Sequence, residues 1–191
     1  MTIVTVEGCL RTHRPVTVDV PGAARAAVAI VLREADSGAE FVVIHRSHRR
    51  NDPWSGHMAL PGGRQDPGDR DLFHTAVRET REEVGIDLDQ HGRRLGHLDD
   101  LCAVGRGRPL DLIITPFVCA VTAPVKLVPN QDEVQSAFWI PLGSLRHDEV
   151  RGTFRHGHGE QEITHPAFVY RGYTIWGLTH RILNGLLDLL S

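Results

Sequence analysis

The stretch that most constrains the fold is residues 59–86, which read ALPGGRQDPGDRDLFHTAVRETREEVGI. It begins with a Pro-Gly-Gly turn, passes a second turn at Pro67-Gly68, and then runs without glycine or proline from Asp69 to Val84. This pattern predicts a loop followed by a helix over 69–84, which Gly85 ends. One side of that helix carries the residues expected to face a core, namely Phe73, Ala76, Val77, Thr80 and Val84.

A second face of the predicted helix is acidic. Glu79, Glu82 and Glu83 stand at positions i, i+3 and i+4, so their carboxylates are neighbours on the helix surface. Carboxylates that close repel one another, whereas a divalent cation that prefers oxygen ligands turns the repulsion into attraction. Arg78 lies four residues before Glu82 and is predicted to pair with it. The alternative is an ordinary amphipathic helix whose acidic face is merely solvated.

The spacing of these residues resembles the Nudix box, a glycine and a spaced acidic residue followed by R-E-U-x-E-E-x-G-U, where U is aliphatic. Gly63 and the run RETREEVGI over 78–86 carry the match. Thr80 stands at the usual aliphatic position. Counting back from Arg78 puts the acidic position on Arg70 and the first glycine on Arg64, so this loop has one extra residue. Asp69 is a candidate substitute for the missing acid.

The resemblance implies an α/β fold, the Nudix-type α/β/α sandwich with a mixed central sheet, over residues 24–191. The C-terminal helix is expected at 174–190, and residues 1–23 are expected to be an extension packed on the domain. The implied activity is hydrolysis of a diphosphate bond in a nucleoside diphosphate linked to another moiety. The implied cofactor is Mg²⁺ or Mn²⁺, because such ions neutralise the diphosphate and activate water.

The resemblance also assigns roles to residues of the box. Glu79 and Glu83 are expected as principal metal ligands, with the Gly63 carbonyl as a further ligand. Glu82 is expected as a ligand or as the general base, the choice of base between the glutamates staying open. Arg78 is expected to orient the glutamates. Outside the box, Glu133 precedes a W-x-P-L strand end. In some family members a distal glutamate from this region joins the metal site or acts as the base, so the resemblance makes Glu133 a further candidate.

For the substrate, the spelling GGRQDPGDRD before the helix resembles the coenzyme A pyrophosphatases of the family. Arg46-Ser47, Gly56 and LPGG over 60–63 match those members in part, since Leu60 replaces a phenylalanine and the spacing differs. The candidate substrate-binding residues are Arg46, Gly62, Gly63 and Arg64. Arg49 and Arg50 are further candidates that would donate charge-assisted hydrogen bonds to the phosphates of the substrate. Alternative substrates within the same enzyme class are ADP-ribose, NADH and oxidised nucleoside triphosphates. Alternative functions are a non-catalytic nucleotide-binding module and nucleic-acid decapping.

The rest of the chain reads mainly as scaffold. Strands are predicted at 24–32 and 41–44, which the turn Asp36-Ser37-Gly38 joins as a hairpin in a mixed sheet. Further strands are predicted at 94–104 and 110–121, with Pro116 near a sheet edge or a bulge. A hairpin is predicted over 151–173, and Trp139 is expected in the core. A zinc site is disfavoured at His156, His158 and His165, because glycines separate the first two histidines and no cysteine joins the set.

Composition narrows the partners. A chain of 191 residues with 41% hydrophobic content fits one domain. The net charge of -3 and the absence of a basic stripe argue against nucleic-acid or membrane partners. The partner that the resemblance implies is a small-molecule nucleotide diphosphate substrate. Cys9, Cys102 and Cys119 lack any C-x-x-C pairing, which favours reduced thiols and a cytoplasmic location. The oligomeric state is open, and a homodimer is one option.

Overall fold

The computed structural model describes residues 1–48, 54–105, 108–157 and 162–191. Within these residues the α-helices are α1 (Ile3–Thr12), α2 (Leu72–Val84), α3 (Leu88–His91) and α4 (Gly177–Leu189), and two 3-10 helices span Leu142–Arg146 and Asp148–Val150. The strands are β1 (Ala24–Ala35), β2 (Gly38–Arg46), β3 (Met58–Ala59), β4 (Gly62–Arg64), β5 (Gly92–His97), β6 (Leu101–Gly105), β7 (Arg108–Val121), β8 (Val134–Pro141), β9 (Arg151–His156), β10 (Ile163–Tyr170) and β11 (Tyr173–Trp176).

The larger sheet is mixed, as predicted. Its order is β3-β2-β1-β7-β5, with β4 paired to β1, β6 to β7 and β8 to β2. The β1–β7 pair is parallel and the other pairs are antiparallel. Alternate residues of β1 point to opposite faces. Ala27, Ala29 and Val31 pack beneath α2, while Ile30 and Leu32 pack beneath α1 and α4. The predicted α/β/α sandwich is therefore confirmed.

Strands β1 and β2 diverge, and this divergence makes room for the glycine turn. They pair only between Leu32–Ala35 and Gly38–Phe41, so the hairpin is confirmed with strands longer than predicted. Beyond that point β3 pairs with the end of β2, and β4 pairs with residues 26–28 of β1. The Pro61 carbonyl also accepts a hydrogen bond from Ala29, at 2.8 Å. The glycines before α2 are thus part of the sheet.

The predicted strand over 94–104 is two strands. β5 ends at His97 and β6 begins at Leu101, and both pair with β7. Pro116 lies in the interior strand β7, so its expected edge position is wrong. Its carbonyl accepts a hydrogen bond from Leu98, in the gap between β5 and β6, at 2.9 Å. In an extended strand the N and C=O of one residue point to the same side. The Pro116 nitrogen, which carries no hydrogen, therefore also faces this gap, so no hydrogen bond of the ladder is lost.

Residues 1–23 contain a helix that the sequence did not predict. Val6 and Leu10 of α1 are buried in the same apolar cluster as α4. The following segment is tied to the sheet, since the Asp99 carboxylate accepts a hydrogen bond from the Val16 N–H at 2.9 Å and Asp100 accepts one from Val18 at 3.0 Å. The segment therefore contributes core residues as well as surface.

A second sheet, of order β11-β10-β9, precedes the last helix. The predicted hairpin is confirmed by the antiparallel pairing of β9 with β10. The expected start of the C-terminal helix at 174 is wrong, because the turn at Arg171-Gly172 returns the chain as β11 and pairs Tyr173 with Tyr170. Helix α4 therefore begins at Gly177.

Candidate active site

The ends of α2 are set by local chemistry. The Asp71 carboxylate accepts a hydrogen bond from the His74 N–H at 2.7 Å and caps the helix, which therefore begins at Leu72 and not at 69. Gly85 adopts the left-handed conformation with φ 72°, as its predicted role as helix stop requires. Thr75, Ala76, Val77, Thr80 and Val84 are buried, so the predicted apolar face is largely correct.

Asp69 and Arg78 form a two-point ion pair at the start of this helix. Arg78 donates from Nε to Oδ1 at 3.0 Å and from Nη2 to Oδ2 at 3.1 Å. Asp69 is 9% exposed, and the Thr75 hydroxyl also donates to it at 2.9 Å. The Arg78 guanidinium holds the pKa of this carboxyl well below its usual range. Asp69 therefore fixes the position of Arg78.

Arg78 connects the loop to the acidic face. Its Nη1 donates to Glu79 at 2.9 Å and to Glu82 at 3.0 Å, which confirms the predicted i, i+4 pair. Its Nη2 also donates to the Arg64 carbonyl at 3.1 Å. One guanidinium thus contacts two of the three glutamates and the end of the glycine turn, which fits the orienting role expected of Arg78.

Glu83 is the buried carboxylate of the set. Its side chain is 2% exposed, and its Oε2 accepts a hydrogen bond from the Gly62 N–H at 2.9 Å. Burial raises the pKa of Glu83 to about 8, and the charges of Glu79 and Glu133 act in the same direction. The Arg46 Nη1 lies 4.0 Å from Glu83 Oε1 and opposes that rise.

Glu79 lies directly against the glycine turn. A Cβ built on Gly63 would stand 2.3 Å from the Glu79 Oε1, so only glycine leaves space for this carboxylate. Gly62 has φ 153°, and a Cβ there would stand 2.3 Å from the Ala27 carbonyl oxygen. Burial raises the pKa of Glu79, while Arg78 opposes that rise. The double glycine therefore lets two carboxylates of α2 meet the backbone of β4.

The remaining predicted residues lie around this pair. Glu82 is turned outward, with 53% of its side chain exposed. Arg64 is exposed, and its backbone carbonyl accepts a hydrogen bond from Arg78. The Glu133 carbonyl accepts a hydrogen bond from Ser47 at 2.8 Å, next to Arg46, and its carboxylate is near enough to raise the pKa values of Glu79 and Glu83. Arg49 and Arg50 lie outside the described residues.

The carboxylates fit a divalent cation in their chemistry. Among the residues that the structure describes, no group of three or more His, Cys, Asp or Glu side chains is arranged to hold a metal. Glu82 is bonded to Arg78 and is largely exposed, whereas Glu79 and Glu83 lie against the glycine turn. The Glu83 carboxyl of that pair is nevertheless buried and the Glu79 carboxyl partly buried, and loss of solvation and neighbouring negative charge raise the pKa values of both. A hard cation relieves this repulsion.

Two other sequence expectations concern rings outside this site. Trp139 packs at the edge of the apolar cluster beneath α2, and the Arg33 guanidinium lies over it at 4.4 Å, which confirms its scaffold role. His158 lies outside the described residues. His156 and His165 both contact Trp176, at 5.0 and 5.3 Å between ring centroids.

Sequence reasoning missed several supporting residues. Thr75 completes the environment of Asp69, and the Ala27 carbonyl excludes a side chain at position 62. The burial of Glu83 was also missed. The signal available for Glu83 was its position next to the buried Val84, one turn after Thr80 on the core side of the helix.

Comparison with known proteins gives the family. The NUDIX domain family matches residues 23–160. The mitochondrial coenzyme A diphosphatase NUDT8 of Homo sapiens is 33% identical over 172 residues, covering 88% of this chain and 70% of that protein. Nudix hydrolase 15, mitochondrial, of Arabidopsis thaliana is 33% identical over 167 residues, covering 83% of this chain and 56% of that protein.

The fold has solved counterparts. A MutT/nudix family protein from Enterococcus faecalis superposes with a TM-score of 0.58 at 13% identity, over 100% of this chain and 70% of that chain. Within the described residues, no helix combines the length and the apolarity that a membrane crossing requires. Both named relatives are called mitochondrial, so the cytoplasmic location stays a prediction. The family match, its extent and the sequence relatives show that this chain belongs to the Nudix hydrolase family.

Proposed function

We propose that this enzyme hydrolyses the diphosphate bond of coenzyme A or an acyl derivative, giving 3′,5′-ADP and a phosphopantetheine. The observation that carries the chemistry is the approach of Glu79 and Glu83 to Gly62 and Gly63 beside Arg46. The support for the substrate is the likeness to a coenzyme A diphosphatase over most of the chain, together with the partial match of Arg46-Ser47 and the LPGG turn.

Glu79, Glu83 and the Gly63 carbonyl would hold Mg²⁺ or Mn²⁺. The ion supplies charge neutralisation at the diphosphate oxygens and acidifies a water molecule. Arg46 lies close enough to Glu83 to place a guanidinium at the same diphosphate, where it offers charge-assisted hydrogen bonds. Arg78 is held by Asp69 and keeps Glu79 in place for this role.

The reaction adds water across one phosphoanhydride. The oxygen of water forms a bond to one phosphorus while the bond from that phosphorus to the bridging oxygen breaks. A carboxylate takes the proton of the attacking water. With Glu79 and Glu83 assigned to the ion, Glu82 and Glu133 are the candidate bases, and separate Gln variants distinguish them.

A substrate panel tests this proposal. The purified protein is incubated with coenzyme A, ADP-ribose, NADH and an oxidised nucleoside triphosphate in Mg²⁺ or Mn²⁺, and products are identified by mass spectrometry. Glu83→Gln should lower turnover by at least about 100-fold, as loss of a group that binds charge in the transition state does. Glu149→Gln, at an exposed position in the short 3-10 helix that precedes β9, is the matched control and should keep full activity.

The outcomes separate the alternatives. Release of 3′,5′-ADP from coenzyme A supports the proposal. AMP from ADP-ribose, with coenzyme A untouched, would replace coenzyme A as substrate within the same enzyme class. Nucleotide binding without turnover on any substrate would make the protein a binding module and refute the hydrolytic role.

A further inference from the structure

An aromatic cluster lies beside the candidate active site and has no part in the chemistry described so far. Trp176 stacks with Phe154 at 4.4 Å between ring centroids and 30° between planes. Its ring also lies 4.9 Å from His57, 5.0 Å from His156 and 5.3 Å from His165. We call these five side chains the Trp176 cluster.

The cluster is joined to the catalytic region through the end of β2. The His57 carbonyl accepts a hydrogen bond from the Arg46 N–H at 3.0 Å, which places the two residues opposite each other across the β2–β3 ladder. Arg46 in turn extends its guanidinium to within 4.0 Å of Glu83. On the other side, the Thr179 hydroxyl donates to the Met58 carbonyl at 3.2 Å and fixes the start of α4, next to Trp176, to β3.

The rings of this cluster keep access to solvent. His156 is exposed, and the other four residues are half-buried. Within the described residues, the three apolar clusters of the interior include neither Trp176 nor Phe154, whereas Trp139 packs against one of them. The three histidines do not form a metal-holding group among the described residues. What the cluster offers is aromatic surface whose imidazole edges carry hydrogen-bonding nitrogens.

We propose that the Trp176 cluster is the subsite that binds the nucleobase of the substrate. A base is planar and stacks on aromatic rings, and its edge atoms match imidazole nitrogens. An acyl or pantetheine chain would instead favour an aliphatic lining. The assignment rests on the proposed function for the identity of the nucleotide, and Arg46 connects the cluster to Glu83.

Fluorescence measures base binding without any turnover. In a protein carrying Trp54→Phe and Trp139→Phe, Trp176 is the sole tryptophan, and 3′,5′-ADP should quench its emission on binding. Ribose 5-phosphate has a sugar and a phosphate but no base, and should leave the emission unchanged. Equal quenching by both ligands, or by neither, would overturn the proposal. A failure to hydrolyse coenzyme A would leave this binding result standing, so the two failures are distinguishable.

Variants of the cluster give a second readout. Trp176→Ala should raise the Kd for 3′,5′-ADP by about 5- to 150-fold, the range found when one stacking ring is removed. Trp176→Phe retains a ring and should restore most of the affinity, and His156→Ala tests an exposed member of the cluster with little risk to folding. If Trp176→Ala folds and binds 3′,5′-ADP as tightly as the parent, the cluster only packs the second sheet, and the proposal is wrong.

Discussion

Replacing Gly63 by alanine should damage catalysis while leaving the fold intact. The added methyl would stand 2.3, 2.5 and 2.8 Å from the Oε1, Cδ and Oε2 atoms of Glu79. The φ angle of Gly63 lies outside the left-handed region, so alanine can adopt the backbone conformation. The strain therefore falls on the Glu79 carboxylate, which is the end of a movable side chain.

The size of the effect follows from these distances. Ordinary van der Waals contact starts at 3.4 Å, so the carboxylate has to retreat by about 1 Å. A misplacement of about 1 Å at a reacting centre lowers turnover by about 100-fold, which corresponds to about 2.7 kcal/mol of barrier. The loss of folding stability should stay below about 1 kcal/mol, because the displaced atoms are not backbone.

Two other glycines in the same region serve as controls. Gly68 has open space around a Cβ, so Gly68→Ala should keep both activity and stability. Gly62 combines φ 153° with a Cβ position 2.3 Å from the Ala27 carbonyl oxygen, so Gly62→Ala should unfold or strongly destabilise the protein. Steady-state hydrolysis of coenzyme A and thermal unfolding, measured side by side, separate the three cases.

The result that would refute this reasoning is a Gly63→Ala protein with full turnover. Such a protein would mean that Glu79 acts from another position, or that it has no role in catalysis. A Gly63→Ala protein that loses stability as Gly62→Ala does would show that the steric conflict falls on the backbone of β4 and not on the carboxylate.

Further predictions concern the anchoring of α2, the buried glutamate and the N-terminal helix. Asp69→Asn should lower turnover by about 10- to 100-fold, because Arg78 loses the carboxylate that fixes its position. Asp71→Ala, the control, should lower the free energy of unfolding by about 1 kcal/mol and leave turnover unchanged. Equal turnover of the two variants would contradict the role given to Asp69. In protein freed of divalent ions, the pKa of Glu83 is raised from 4.5 to about 8, so the folded state keeps a proton that the unfolded state releases. The contribution of Glu83 to the Tm should therefore be largest below pH 4.5 and should be lost as the pH rises through 8. Glu83→Gln should flatten this decline of the Tm with pH. A Glu83→Gln protein with an unchanged slope would contradict the raised pKa of Glu83. Leu10→Ala should lower the free energy of unfolding by about 2–5 kcal/mol in urea titrations, with the exposed Val16→Ala within about 0.5 kcal/mol of the parent, and a neutral Leu10→Ala would show that α1 does not support the core.

The part of the site that could be predicted from sequence is the part encoded within one helix. The i, i+4 spacing of Arg78 and Glu82 and the helix stop at Gly85 depend on local geometry, which a sequence pattern states directly. The burial of Glu83 depends on what α2 packs against, and the divergence of β1 and β2 supplies that surface from residues far away in the chain. The local pattern places Glu83 near the core side of α2, but it does not encode the surface that buries this carboxylate.

The fold shows the same division between local and distant causes. The continuous apolar run of β1 and the turn Asp36-Ser37-Gly38 are local features, and the hairpin was predicted from them. Helix α1 was missed because Arg11 and His13 follow its apolar residues and Gly8 interrupts it, while its stability comes from Val6 and Leu10 packing against α4. The break between β5 and β6 was missed because its cause, Pro116, sits in a different strand.

The loop before α2 is fastened at both ends by contacts that do not depend on its length. At one end residues 62–64 pair with β1 through main-chain hydrogen bonds, and at the other end the Arg78 side chain donates hydrogen bonds to the Asp69 carboxylate. Between these anchors the chain turns at Asp66–Asp69, where the Asp66 carbonyl accepts a hydrogen bond from the Asp69 N–H, so a change of loop length in this turn need not move either anchor. A sequence motif that fixes the number of residues between Gly63 and Arg78 would therefore miss a protein with a longer loop. A motif defined by the glycine turn and by the acidic partner of Arg78 would include it.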